Sequence, residues 1–270
     1  MSKTRASLLT LLAAAPLLGG LAVTQLGAQS EDDPAALPAA ALPAAERAAF
    51  EAVIRDYLLD NPEVLIESLE RFRDRETLAQ AQQAEDAARR HLAELASGEV
   101  GFAIGASEAE AEVIVVEFFD YHCGYCRRAA DFAVGLAEED GVRVVFQDLP
   151  ILREESRLAA LAGLAAAESG DYVDLHLELM RTSGTLNRKA LDKAGRRAGA
   201  PEAVNALDDE ARLARLEEKL GRSVEIARDM AVDGTPAFIV ASADGAFVRV
   251  IPGFGPEQVT EAVDTARRAG

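Results

Sequence analysis

The sequence predicts an α/β domain, a mixed sheet of about four strands that carries a helical insertion and is preceded by an N-terminal helical stalk. Three observations predict it. VIVVEFF (113–119), a helical pattern over 123–139 and VRVVFQDL (142–149) follow one another at the spacing of a βαβ unit, with parallel strands and a right-handed crossover. PAFIVAS (236–242) and AFVRVI (246–251), joined through Asp244-Gly245, read as a hairpin, with a last helix from about Pro256 to Arg268. Between these halves, residues 153–231 are almost wholly helical in pattern, which makes them an insertion between two halves of one sheet.

The chain starts with a basic residue pair, Lys3 and Arg5, an apolar stretch from Leu8 to Leu18 and a small-residue end at Gly27-Ala28. This is the layout of a signal peptide, and residues 1–28 are expected to be one. Pro16 and Gly19-Gly20 interrupt the apolar run, which argues against a retained membrane anchor. Export places the protein where disulfides persist. The net charge is −18, from 28 Lys and Arg against 46 Asp and Glu. Residues 1–28 contain two of the bases and no acid, so the remainder is more acidic still, and such a surface repels phosphate backbones: nucleic acid is not an expected partner.

Residues 29–43, rich in Pro, Ala and acid, read as a disordered spacer. From Ala44 the pattern is helical: Phe50, Val53, Ile54, Tyr57 and Leu58 make one apolar stripe. Asn61-Pro62-Glu63 reads as the N-cap, first proline and first-turn acid of a second helix. That helix presents Leu65, Leu69 and Phe72, then Ala81, Ala84, Ala88, Leu92 and Leu95, with a slip of register between the two sets. A seam this thin suits packing against copies of itself, so residues 44–97 are expected to be an oligomerisation segment. The alternative is a cap folded back on the domain that follows, residues 98–270.

Cys123 and Cys126 are the chain's two cysteines, two residues apart in EFFDYHCGYC (117–126). At the start of a helix, unpaired N–H groups and the helix dipole stabilise an anion, so Cys123 should have a depressed pKa and act as the nucleophile of disulfide exchange. Cys126, one turn on, can attack the mixed disulfide and release the partner. Structural zinc or iron–sulfur sites need more ligands than these: there is no third cysteine, and of His91, His122 and His176 only His122 is local. An inert structural disulfide would close a loop of two intervening residues and stabilise little. Two thiolates could hold Cu(I), which stays open as a reading. A CxxC after a strand and opening a helix, in an exported chain, favours a redox motif.

EFFDYHCGYC resembles the active-site segment of the DsbA-like thioredoxin-fold proteins, and the helical insertion is that family's mark. The resemblance covers about residues 112–268 and implies a thioredoxin fold. It also implies that Thr235 and Pro236, in GTPAF (234–238), form a proline loop facing the dithiol and orient the partner's backbone. Glu117 matches the family's buried acid, which implies a relay for the Cys126 proton; a strand-end carboxylate facing solvent is the other reading. His122 beside the nucleophile would stabilise the thiolate when protonated, or else is an exposed loop residue. Segment 44–96 looks similar to the N-terminal helices of periplasmic ScsC-type proteins, which oligomerise and are linked to copper tolerance. Gly124-Tyr125 is the central pair of the DsbC isomerases and lacks the histidine of the oxidising DsbA type, which implies a less oxidising disulfide.

The expected activity is therefore periplasmic thiol–disulfide exchange, with isomerisation preferred and needing neither cofactor nor metal. The expected partners are misfolded or reduced exported proteins, a membrane redox partner that resets the dithiol, and further copies of the chain. A monomeric dithiol oxidase and a Cu(I)-binding protection protein are the alternatives.

Overall fold

A computed structural model describes residues 43–270; the expected signal peptide and nearly all of the expected spacer lie outside them. The chain divides into two units, one ending at Pro62 and one starting at Glu63. In the first, helix α1 (Ala44–Asp60) presents Phe50, Val53, Ile54 and Tyr57 exposed along one stripe. Asn61, expected to open the next helix, instead closes this one: its backbone N–H and its Nδ2 both donate to Tyr57 O, at 2.9 and 2.8 Å.

The second unit begins with α2 (Glu63–Ser97), a single helix of 35 residues. Its slip of register is a change of face rather than a joint. Leu65, Leu69, Phe72 and Leu78 are exposed, whereas Ala87, Ala88, Leu92, Leu95 and Ala96 are buried where the helix packs on the sheet and on α8 (Glu210–Asp229). The docked-cap alternative thus describes the last turns of α2, while its first turns leave an apolar face exposed. Arg143 fastens the docked end by donating to the carbonyls of Ala96, Ser97 and Ala106, at 2.6, 3.1 and 2.9 Å. Arg222 adds a bidentate pair to Glu94, both contacts 2.7 Å, the geometry in which an arginine–carboxylate pair is strongest.

The sheet has five strands in the order β1-β3-β2-β4-β5. β2 (Val113–Phe119) runs parallel to β3 (Val142–Asp148), with α3 (Gly124–Leu136) crossing over between them. β4 (Ala237–Ser242) lies antiparallel to β2, and β5 (Val248–Pro252) antiparallel to β4. The fifth strand, β1 (Phe102–Gly105), pairs antiparallel with β3 at the edge and adds one to the four the sequence suggests. It fits closely there: a Cβ at Gly101 would run into Phe146 O, so the approach requires glycine.

β2 is central and buried on both faces, hence its near-continuous apolar sequence. Val113, Val115 and Phe119 pack with α3, α9 (Pro256–Ala269) and the insertion, while Ile114, Val116 and Phe118 pack with the end of α2 and with α8. The insertion comprises α4 (Glu154–Ser169), α5 (Tyr172–Arg181), α6 (Arg188–Arg197), the short α7 (Pro201–Asn205), a 3₁₀ turn at Ala206–Asp208, and α8. His176 on α5 is wholly buried among Phe119, Phe146 and Tyr172, and burial depresses its pKa to about 3. It is a neutral core residue.

Candidate active site

Four residues, Asp120 to Cys123, carry the chain from the end of β2 to the start of α3. The turn is made by a Cys123 N–H donating to Asp120 O at 2.9 Å, and the first helical bond by Arg127 N–H donating to Cys123 O at 3.1 Å. Cys123 is the N-cap of α3 in an extended conformation, so its side chain sits over the helix's unpaired N–H groups. Both cysteines are free thiols. Cys126 lies wholly buried, and Cys123 keeps a small exposed edge, the asymmetry expected of an attacking sulfur and a resolving one.

The proline loop closes over this point. The Cys123 thiol donates to Thr235 O at 3.1 Å across 112 residues of sequence, and the Thr235–Pro236 peptide is cis. The predicted pairing of Cys123, Cys126, Thr235 and Pro236 is therefore a spatial cluster. The Cys126 thiol, the Thr235 side chain and the backbone N–H groups of Cys126 and Tyr125 hold the Cys123 thiol pKa down at about 5, against the opposing effect of burial. Cys126 is displaced the other way, chiefly by burial and then by its bond to Cys123 and the charge of Glu117. One turn of helix thus separates a sulfur that is anionic at neutral pH from one that holds its proton.

Glu117 lies beneath them on β2, on the sheet face that carries Val115 and Phe119, flanked in register by Phe146 and Phe238. It is wholly buried and neither carboxylate oxygen has a hydrogen-bond partner. Burial, and then the negative charge on Cys123, raise its pKa to about 8. The solvent-facing alternative for this residue is excluded by its position.

Gly124 and Tyr125 sit differently. A Cβ at Gly124 would meet nothing, and the Tyr125 ring, 59% exposed, lies under the Arg128 guanidinium at 4.1 Å. Tyr125 acts on Cys123 through its backbone N–H, while its ring faces outward. His122 departs from both expectations. It is neither an exposed loop residue nor a cation beside Cys123: its side chain is buried, burial lowers its pKa, and its ring nitrogens are taken up by Ser156 and by Leu186 N–H. Asp120 and Ser156, its partners in this arrangement, were not foreseen as site residues.

Known proteins can now be set beside this geometry. A family model described as thioredoxin matches residues 97–246. The chain belongs to the thioredoxin family. A second model, the copper resistance protein ScsC N-terminal domain, matches residues 46–84, so the sequence preceding the thioredoxin-family domain is similar to that of ScsC proteins. A thioredoxin-like oxidoreductase from Silicibacter pomeroyi DSS-3 is 34% identical, with a TM-score of 0.56, over 65% of this chain and 97% of that one. BcfH of Salmonella enterica Typhimurium is 27% identical, with a TM-score of 0.70, over 83% and 96%. Proteus mirabilis ScsC in a transitional conformation is 25% identical, with a TM-score of 0.58, over 84% and 99%. No curated protein matches the chain. These likenesses make the thioredoxin-family domain a member of a thiol–disulfide oxidoreductase group.

Proposed function

We propose that this chain is an exported disulfide isomerase. The observation that carries the reading is the Cys123 sulfur at the N-cap of α3, beside the Thr235–Pro236 segment and one turn from a buried Cys126 thiol. A sulfur with a pKa of about 5 is a thiolate at neutral pH, and thiolates are the attacking species in disulfide exchange.

The Cys123 thiolate attacks one sulfur of a partner's disulfide, forms a mixed disulfide and expels the partner's other sulfur as a thiolate. Two exits follow. A different thiolate of the same partner can attack the mixed disulfide and regenerate the Cys123 thiolate, which completes an isomerisation. Alternatively, Cys126 loses its proton to Glu117 and attacks Cys123, leaving a Cys123–Cys126 disulfide and a reduced partner; a membrane redox partner is then needed to reset the dithiol. The backbone of the client lies against the Thr235–Pro236 segment, and the clients are misfolded exported proteins. Export rests on the N-terminal sequence layout.

Gly124-Tyr125 favours shuffling over donation, because no histidine between the cysteines adds its charge to the thiolate. Refolding of scrambled ribonuclease by the reduced protein tests this, with recovery of activity the expected result. No recovery, together with rapid oxidation of a reduced peptide by the disulfide form, would establish the dithiol oxidase instead. Tight Cu(I) binding with negligible exchange in either assay would establish the copper-protection reading.

Assembly through α1 and the first turns of α2 belongs to the same proposal. Both present exposed apolar side chains, and this stretch is similar to the ScsC N-terminal domain. Light scattering is expected to give a multiple of the monomer mass for the full chain. The triple variant Leu65→Glu, Leu69→Glu, Phe72→Glu, whose positions share one exposed face, should fall to the mass of one chain; an unchanged mass would remove the seam from the assembly.

A further inference from the structure

The loop that seats Cys123 is itself held by a chain of hydrogen bonds from the helical insertion. Asp120, wholly buried at its side chain, accepts from three donors: His122 N–H at 2.8 Å, Ser156 Oγ at 2.8 Å and Leu152 N–H at 2.9 Å. Its backbone carbonyl accepts the Cys123 N–H. His122 Nδ1 lies 2.9 Å from Ser156 Oγ, and His122 Nε2 accepts the Leu186 N–H at 3.1 Å.

Proton direction along this chain follows from donor and acceptor capacity. Leu186 N–H can only donate, so Nε2 is bare and the neutral ring carries its proton on Nδ1. Nδ1–H donates to Ser156 Oγ, and the Ser156 hydroxyl donates to Asp120, an acceptor at both oxygens. Every donor finds an acceptor without a positive charge on the ring. The groups around His122 are of both signs, Asp120 and Glu155 against Arg153 and Arg127.

We propose that Asp120, His122 and Ser156 form a positioning unit that seats the Cys123 sulfur over the N–H groups of α3 and ties that seat to the approach to the helical insertion at Leu152 and to the insertion itself at Leu186. The unit touches neither partner nor sulfur through its side chains; it acts by fixing the backbone from which Cys123 projects. The proposal rests on the reading of Cys123 as the nucleophile. A fully satisfied buried network of this kind specifies one arrangement, whereas loss of one member leaves the others unpaired and the loop free to shift. Once Cys123 moves off the helix N-terminus, its thiolate loses the N–H groups that stabilise it.

Two measurements test this. Nitrogen-15 NMR of His122 in the unaltered chain should show a neutral ring protonated on Nδ1 at pH 7; an Nε2-protonated tautomer or a charged ring overturns the network, and this result does not depend on any variant folding. Separately, the pH dependence of Cys123 alkylation by iodoacetamide should move upward in Ser156→Ala and His122→Ala. A shift of half a unit lowers the rate about threefold at pH values below the midpoint and leaves the plateau rate unchanged. Ser156→Thr, which keeps the hydroxyl, should restore the original profile. A purely structural role would lower the melting temperature and leave the midpoint in place, and that outcome overturns the proposal. Alkylation of the unaltered chain only at alkaline pH would instead overturn the reading of Cys123 as nucleophile, with the tautomer still deciding the network.

Discussion

Cys126→Ser turns the protein into a trap for its partners. Cys123 keeps its place at the N-terminus of α3, beside Thr235, so the first attack still proceeds and the mixed disulfide forms. The internal route of escape is gone, because a serine hydroxyl cannot displace the partner's sulfur. A neighbouring group held one helical turn away acts at an effective concentration far above that of any free thiol. Resolution without added thiol should therefore slow by about 10²-fold or more. Non-reducing electrophoresis of the variant incubated with a disulfide-containing protein should show a new covalent adduct that dithiothreitol releases. Cys123→Ser should show none. Adducts forming equally well in the Cys123→Ser variant would reverse the assignment of attacking and resolving sulfurs.

Glu117→Gln should raise stability and lower turnover together. The unfolded carboxyl titrates near 4.5 and the folded one near 8, so folding takes up a proton between those values. With more protons bound in the native state, stability falls as pH rises from about 4.5 to 8. Glutamine has no proton to take up, which removes that slope and gains up to about 3 kcal/mol at pH 7, the cost of protonating an acid some two and a half units above its free pKa. Cys123 titrates in the opposite sense: its depressed pKa gives the reduced protein stability that grows with pH from about 5 to 9. The oxidised protein has no such thiolate, so the Cys123 contribution drops out; the Glu117 slope, eased by loss of that charge, remains beside those of the buried Asp148 and His176. Urea midpoints of the oxidised form should fall more steeply between pH 5 and 8 in the unaltered chain than in Glu117→Gln, the difference between the two profiles being the Glu117 contribution.

The rate effect has its origin in the same carboxyl. While Cys123 is a thiolate, its charge helps to hold Glu117 protonated. Once that sulfur enters a mixed disulfide the charge disappears, Glu117 ionises more readily, and it becomes a base beside a Cys126 thiol that otherwise keeps its proton. Loss of a positioned general base costs about 10²-fold or more, so release of the mixed disulfide should slow by about that factor in stopped-flow at pH 7. Equal pH slopes and equal release rates in both proteins would return Glu117 to a packing role.

Several features of the fold were legible because their cause is local. β2 reads directly as VIVVEFF, since a strand buried on both faces selects β-branched and aromatic residues along its whole length. Glu117 stood out as the one acid in that run, and the CxxC as a pair at a strand-to-helix junction. β1 was not legible: FAIG is four residues that follow one glycine and end on another, and what makes it a strand is the free edge of β3. The positioning unit was hidden for a similar reason. Asp120 after a strand reads as a turn residue, and its network is closed by residues 32 to 64 positions apart in sequence. His122 shows the limit of adjacency. It precedes Cys123 in the chain, yet its ring is bonded to α4 and to the loop before α6.

If the proposed assembly forms, the continuity of α2 makes one helix party to two equilibria. Its last turns are part of the domain's interior, clamped by Arg143 and by the Arg222–Glu94 pair, and its first turns expose an apolar seam. Where copies of the chain meet along that seam, association withdraws molecules from the unfolded pool by mass action. The resistance of the dithiol domain to unfolding then becomes a function of how many copies the surrounding compartment holds, so that dilution alone weakens a domain whose own contacts have not changed.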